Sequence, residues 1–254
     1  MDPVGISNFR DFGGYVGAGG RRIRTGGLFR SGHLGALTDT DRTDLGALDF
    51  ALIVDLRRIN ERTRHVSIRP EPFRAKVLEH AAPPVDATAP HLSFLDVPDV
   101  TSELITQQMS TGYRSYPFDP WYVRLYGQYF AELADLDGPV LVHCHAGKDR
   151  TGVLCALTHH VLGVSSDDII ADYLLTNQRN RAKRRMEEVR RLFPKGGKPV
   201  PEDVLRHMMS AQQVYLESAF DEMTKQHGSV DGYLTEVLGV THRVRDAIRE
   251  RWLT

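Results

Sequence analysis

The feature that most constrains this chain is the run Gly138-Pro-Val-Leu-Val-His-Cys-His-Ala-Gly-Lys-Asp-Arg-Thr-Gly152. Residues 139–142 are continuously apolar, include β-branched members and follow a Gly-Pro turn signal, which predicts a fully buried strand. Thr151, Gly152 and the apolar residues 153–157, closed by Val161, Leu162 and Gly163, predict a buried helix over 151–162 with a glycine stop. Strand, tight loop and helix N-terminus therefore follow one another, and Cys144 falls in the loop.

The first amides of a helix have no intrahelical partners, and the aligned peptide dipoles add partial positive charge there. A loop leading into such a start is built to receive an anion. The amides of His145, Ala146, Gly147, Lys148, Asp149 and Arg150 can close around its oxygens, and the Arg150 guanidinium supplies a planar two-toothed donor. That donor set fits a phosphate monoester. A thiol at a helix N-terminus beside Arg or Lys gives up its proton readily, so Cys144 is expected to act as a thiolate nucleophile. The implied reaction displaces the alcohol, leaves a phosphocysteine and then hydrolyses it. Thr151 is placed to donate to the sulfur as it leaves. Gly147-Lys148 is not a nucleotide-binding loop, because that motif needs Gly where Val142 stands and Ser or Thr where Asp149 stands. A structural buried thiol is the bland alternative for Cys144, and Arg150 in the same loop argues against it.

On these residues the chain resembles a known family. His143-Cys144-x5-Arg150-Thr151-Gly152 is similar to the signature of the cysteine-dependent protein tyrosine phosphatases, and Gly147-Lys148-Asp149-Arg150 narrows the resemblance to its bacterial and fungal branch. That branch is similar to the secreted mycobacterial and Listeria enzymes that act on phosphoproteins and phosphoinositides. Asn8-Phe-Arg-Asp-Phe-Gly-Gly14, residues 25–34, Ala171-Asp-Tyr-Leu-Leu-Thr-Asn177 and Ser229-Val-Asp-Gly-Tyr-Leu234 resemble further blocks of the branch, and residues 82–116 are the least covered. The resemblance implies a protein tyrosine phosphatase acting on a phosphotyrosine protein, with dual specificity open to it, a phosphoinositide or small-molecule phosphatase as the alternative and a silent phospho-binding module as the third reading. It also implies an α/β fold with a central, mostly parallel sheet flanked by helices, no cofactor and no metal.

The rest of the chain frames that site. With 254 residues, 41% of them hydrophobic, there is material for one large core, and a single domain over 1–254 is expected, with a catalytic core over 1–163 and a helical extension over 164–254 that can act as a lid. A net charge of −1 gives no global pull towards nucleic acid. Two cysteines argue against a disulfide framework, since a helix over 151–162 puts Cys155 roughly 16 Å along its axis, too far to bridge Cys144. No basic-then-apolar leader and no membrane-length apolar run are seen, so a cytoplasmic location is expected, with export by a leaderless route left open. The eleven histidines show no spacing that demands a metal. Oligomeric state is not written in the pattern.

Residues 8–15 mix aromatics, charges and paired glycines and suggest a packed turn, followed by a hairpin turn through Gly20. Residues 25–34 are expected to form a strand carrying Arg30 and Ser31 towards the site. A helix over 38–48 is capped by Thr38, and residues 50–57 form a second buried strand. Its C-terminal end would open on the same sheet edge as Cys144, which makes Asp55 and Arg57 candidate site residues. A helix is expected near 101–109, another over 120–136 with an inward stripe of Trp121, Leu125, Tyr129 and Leu133, and further helices from Ser165 and over 204–209, 213–223, 232–238 and 241–252. The basic run 179–191 reads equally as an anion-holding face and as a solvated one.

The reaction also needs an acid for the leaving oxygen. Most relatives carry it on a separate Trp-Pro-Asp loop, which this chain lacks. Asp149 is the first candidate, Asp55 the second and Asp99 the third. Lys148 is expected to add a second charge on phosphate, with His143, Thr151 and Asp55 in support.

Overall fold

A computed structural model of the chain describes residues 3–80, 100–179 and 201–254. The chain runs β1 (Arg10–Asp11), β2 (Leu28–Ser31), α1 (Asp39–Gly46), β3 (Leu52–Asp55), α2 (Ile59–Arg64), β4 (Lys76–Glu79), α3 (Ser102–Ser115), α4 (Pro120–Asp135) and β5 (Val140–His143). After these come α5 (Asp149–Leu162), α6 (Ser166–Leu174), α7 (Thr176–Arg179), α8 (Glu202–Met209), α9 (Gln213–His227), α10 (Val230–Glu236) and α11 (His242–Trp252). Asp99, the basic run beyond Arg179 and the turn at 195–200 lie outside the described residues.

The five strands order as β1-β2-β5-β3-β4, with β1 antiparallel to β2 and the other pairs parallel. Residues 8–15 are thus not all turn: Arg10 and Asp11 pair with Arg30 and Phe29 as a short edge strand, which the mix of polar residues and glycines conceals. Register puts Ser31, His143 and Asp55 side by side, so the strand that delivers Cys144 ends level with its two neighbours. Every residue of β2, β3 and β5 is buried, as parallel strands covered on both faces require.

Alternation along the strands divides the core in two. Leu28, Leu52, Val54, Val140 and Val142 face a large cluster that includes α3 to α6 and the C-terminal helices. Phe29, Ile53 and Leu141 face a small cluster with Ile6, Phe9, Leu34, Leu37 and Leu45 of the α1 side. Two stacked phenyl rings, Phe9 and Phe29 at 5.6 Å, anchor that thin side.

α5 is buried almost all round, with only Asp149 and His160 partly exposed, as befits a helix at the centre of the thick layer. It begins two residues before the apolar run suggests, so Asp149 and Arg150 lie in its first turn, and it ends at Gly163 in the left-handed region. Thr38 closes a capping box with Asp41 at the start of α1, as the Thr-x-x-Asp spacing implies. α3 runs on to Ser115, six residues past the expected end, and α9 continues to His227. Cys144 and Cys155 are both free. Burial pushes the Cys155 thiol up to about 12, consistent with core filling.

The far end of the chain closes the near end. α11 packs on α4 and α5, Trp252 Nε1 donates to the Leu133 carbonyl at 2.9 Å, and Ile23 bridges Leu253. Arg22 and Thr254 exchange two backbone hydrogen bonds of 2.8 Å. Among the described residues no helix is long and apolar enough to cross a membrane.

Candidate active site

β5 places Cys144 at the C-terminal edge of the sheet, with 1% of its surface exposed. Between it and α5 the chain turns through Gly147, whose φ of +66° lies in the left-handed region. A Cβ there would sit 2.4 Å from the Ser31 carbonyl oxygen, so only glycine lets the loop rest on β2.

The loop is held by its carbonyls. The Gly147 oxygen accepts from Asn8 Nδ2 at 2.5 Å and from Arg30 Nη2 at 3.0 Å, and the His145 oxygen accepts from the His33 N–H at 3.0 Å. Carbonyls turned into the scaffold leave the opposite side of the peptide planes, the N–H side, to converge. Arg30 is therefore not a surface arginine and does not reach for substrate: it is fully buried and acts on the loop from below.

Below the loop lies a charged cluster. Arg30 Nη1 donates to Asp172 Oδ2 at 2.8 Å, Arg10 Nε donates to Asp172 Oδ1 at 3.1 Å, and Arg10 Nη1 donates to Asn8 Oδ1. Burial pushes Arg10 down to about 10, which still leaves it charged at neutral pH. Burial works against the Asp172 carboxylate, but Arg30 and Arg10 hold it below the usual carboxylate range. Two cations against one anion leave net positive charge under an anion-binding loop.

Above, Arg150 meets a residue that pattern reading did not single out. Its Nη1 and Nη2 donate end-on to Glu61 Oε2 at 2.6 Å and Oε1 at 2.7 Å, and Nη1 also donates to the Leu56 carbonyl at 3.2 Å. Nε–H and the second Nη2 hydrogen stand on the other edge, a side-on pair that matches two phosphate oxygens. Burial opposes the Glu61 charge, yet Arg150 brings it down to about 2. The signal that could have revealed Glu61 is Arg58-x-x-Glu61, a helix start just past the sheet edge where the site was expected. Glu61 accepts from the Arg58 N–H at 2.8 Å in that box.

Asp149, in the first turn of α5, accepts at Oδ1 from Tyr113 Oη at 2.9 Å and lies 3.4 Å from Lys148 Nζ. Tyr113 Oη is in turn 2.6 Å from Tyr173 Oη. Neither tyrosine was expected here, although Tyr173 belongs to one of the family-like blocks.

Two expectations need correction. Asp55 cannot be the acid: both its oxygens lie in the fork of Arg57, with Nε at 2.9 Å from Oδ1 and Nη2 at 2.6 Å from Oδ2. Burial opposes its charge, but His143 and Arg57 hold it at about 2, so it carries no proton at neutral pH. It lies instead beside His143, the last residue of β5, with Nε2 and Oδ2 3.8 Å apart, too far for a hydrogen bond. Lys148 does not extend over the anion site either. Its Nζ donates to the Met208 and Ser210 carbonyls at 2.8 and 3.1 Å, where α8 ends with unpaired acceptors. Thr151 Oγ1 is buried without a hydrogen-bond partner among the described residues, in keeping with a donor reserved for a transient acceptor. Arg57 and Leu56 also line a cavity of about 250 Å³ towards Trp121, which shares no residue with the loop.

Comparison with known proteins gives the family. The model of the tyrosine phosphatase family matches residues 1–254. A putative tyrosine-protein phosphatase of Cupriavidus necator is 34% identical over 241 residues, covering 92% of this chain and 82% of its own. A triple specificity protein phosphatase, PtpB, of Mycobacterium tuberculosis is 29% identical over 257 residues, covering 91% of each.

Proposed function

This chain belongs to the tyrosine phosphatase family, and from that premise we propose how its residues divide the hydrolysis of a phosphotyrosine monoester. The observation that carries the proposal is the Arg150 guanidinium, fixed end-on by Glu61 so that its side-on edge is left for phosphate in the loop that holds Cys144. Cys144 Sγ attacks phosphorus while Arg150 and the loop amides hold the non-bridging oxygens. The bond from phosphorus to the tyrosine oxygen breaks, and Asp149 gives that oxygen its proton. A water then attacks the phosphocysteine, Asp149 takes its proton, and inorganic phosphate and the Cys144 thiolate are restored, with Thr151 supplying a hydrogen bond to the departing sulfur. Lys148 anchors the loop to the end of α8 and adds charge beside Asp149.

We also take residues 1–254 as one catalytic unit. Asp172 and Tyr173 come from the extension yet hold the loop and Asp149, and α11 covers α4 and α5, so the second part completes the first. A name of triple specificity on one relative makes substrate range an open comparison for this chain.

The test is metal-free phosphate release from a phosphotyrosine peptide, a phosphothreonine peptide and a soluble phosphoinositide. Cys144→Ser is expected to abolish all release, and Asp149→Asn to lower kcat/KM on the tyrosine peptide by about 10²-fold or more. Release that survives Cys144→Ser overturns the mechanism, and the ratio of the three wild-type rates gives the specificity.

A further inference from the structure

Asp149 is one carboxylate in a nest of phenols. Tyr113 comes from α3 and Tyr173 from α6, two helices brought together over the first turn of α5. Both rings are buried, at 0% and 1% exposure. A buried phenol without an acceptor is costly, and these two share one chain of bonds that ends on a carboxylate.

The direction of that chain follows from its end. A carboxylate oxygen can only accept, so Tyr113 spends its single hydrogen on Asp149 Oδ1. The oxygen of Tyr113 must then accept from Tyr173 across 2.6 Å. Burial raises both phenols well above their ordinary values, so both keep their protons through the working range. Lys148 Nζ lies 3.4 Å from the same Oδ1, which leaves the deliverable proton to Oδ2.

The seat of Tyr173 is built into the signature itself. A Cβ on Gly152 would come within 2.8 and 2.9 Å of Cε2 and Cδ2 of the Tyr173 ring. The glycine that closes the loop motif thus leaves room for the far end of the relay.

Resting on the assignment of Asp149 as the acid, we propose that Tyr113, supported by Tyr173, is a positioning residue that fixes which oxygen of Asp149 carries the proton and aims it at the leaving group. Neither phenol touches the reacting atoms. Their contribution is therefore felt only where the leaving oxygen needs a proton.

The experiment compares kcat/KM for two aryl phosphates, p-nitrophenyl phosphate, whose phenolate leaves with little help, and phenyl phosphate, whose phenolate needs protonation. This ratio reports only the step in which the leaving group departs, since hydrolysis of the phosphocysteine is common to both. Tyr113→Phe keeps the ring and removes the hydroxyl. It is expected to slow phenyl phosphate about tenfold and p-nitrophenyl phosphate less than about twofold, as loss of one hydrogen bond to a charged group predicts. Tyr173→Phe is expected to shift the same ratio in the same direction by a smaller factor, and it carries the test if Tyr113→Phe does not fold. Equal slowing of both substrates by the two variants assigns the tyrosines to structure and overturns the inference. Asp149→Asn separates the two layers: if it also slows both substrates equally, the acid assignment has failed; if it is selective while the tyrosine variants are not, only the relay has failed.

Discussion

Two arginine–carboxylate pairs grip the same loop, and they are built differently. Arg30 and Arg10 meet Asp172 beneath it with side chains at most 5% exposed, and the Gly147 carbonyl of the loop is reached by Arg30 directly and by Arg10 through Asn8. Arg150 meets Glu61 above it with side chains 10% and 24% exposed, and there the arginine is itself part of the loop. The lower pair has no opening to a ligand and acts from beneath, through the loop's geometry and its own net positive charge. The upper pair holds one edge of its guanidinium to keep the other edge oriented. A buried pair is costly to break because it strands a charge, whereas a half-open pair lets water and phosphate compensate. Breaking the lower pair should therefore appear chiefly in stability, and breaking the upper one chiefly in rate with a smaller loss of stability.

The largest effect expected is on rate. Arg150→Lys keeps a cation opposite Glu61 but loses the planar fork, and kcat/KM should fall about 10³-fold with the melting temperature nearly unchanged. A drop of less than tenfold would place the phosphate contact elsewhere. Asp172→Ala strands Arg10 and Arg30, and denaturant unfolding should show a loss of about 3–5 kcal/mol. If stability holds and only activity falls, the contrast between the two pairs is void.

Glu61→Gln sharpens the contrast from the other side. It should reduce kcat/KM by about 10- to 100-fold, mostly through KM, as expected when an orienting charge-assisted bond becomes neutral. The same pair has a pH signature. Glu61 is depressed from 4.5 to about 2 when folded, so its contribution to stability is full above pH 4.5 and is lost as pH falls towards 2. Denaturant midpoints measured over that window should decline less steeply in Glu61→Gln than in the wild type. The smallest effect is expected at Ser165, whose side chain caps α6 by accepting from the Asp168 N–H at 3.2 Å. Ser165→Ala should cost about 1 kcal/mol and leave kcat/KM alone, since it loosens the helix that carries Asp172 without touching the pair.

What the chain reveals in one dimension follows the same divide. Cys144, Arg150 and the strand–loop–helix order are legible because one continuous segment makes them, and its glycines and apolar residues have few other uses. The parallel sheet is legible in the apolar runs at 52–54 and 140–142. Glu61, Asp172 and Tyr113 are not, because each is met across a gap in sequence and looks ordinary where it stands. Glu61 sits among Asn60, Arg62 and Arg64 and reads as a solvated helix face; Tyr113 sits in the least family-like part and reads as core. Lys148 is a subtler case. Its position is fixed locally, but α8, some sixty residues on, decides where its amine goes. Asp55 shows the converse, since its place at the sheet edge is legible in the sequence and its capture by Arg57 two residues later is not.

The bonding of Thr254 to Arg22 sets an order on how the molecule is made. Contacts that span 232 positions form late, because the intervening chain must already be in place. A nascent chain that has extended as far as α5 can pair its strands, but Leu133 and Val161 then still lack the helix that covers them. During that interval the faces of α4 and α5 that α11 covers are open, and exposed apolar surface is the kind that chaperones bind and that aggregates when crowded. Residues 242–254 are what end the exposure, so a helix remote from Cys144 in sequence decides when the catalytic half is covered.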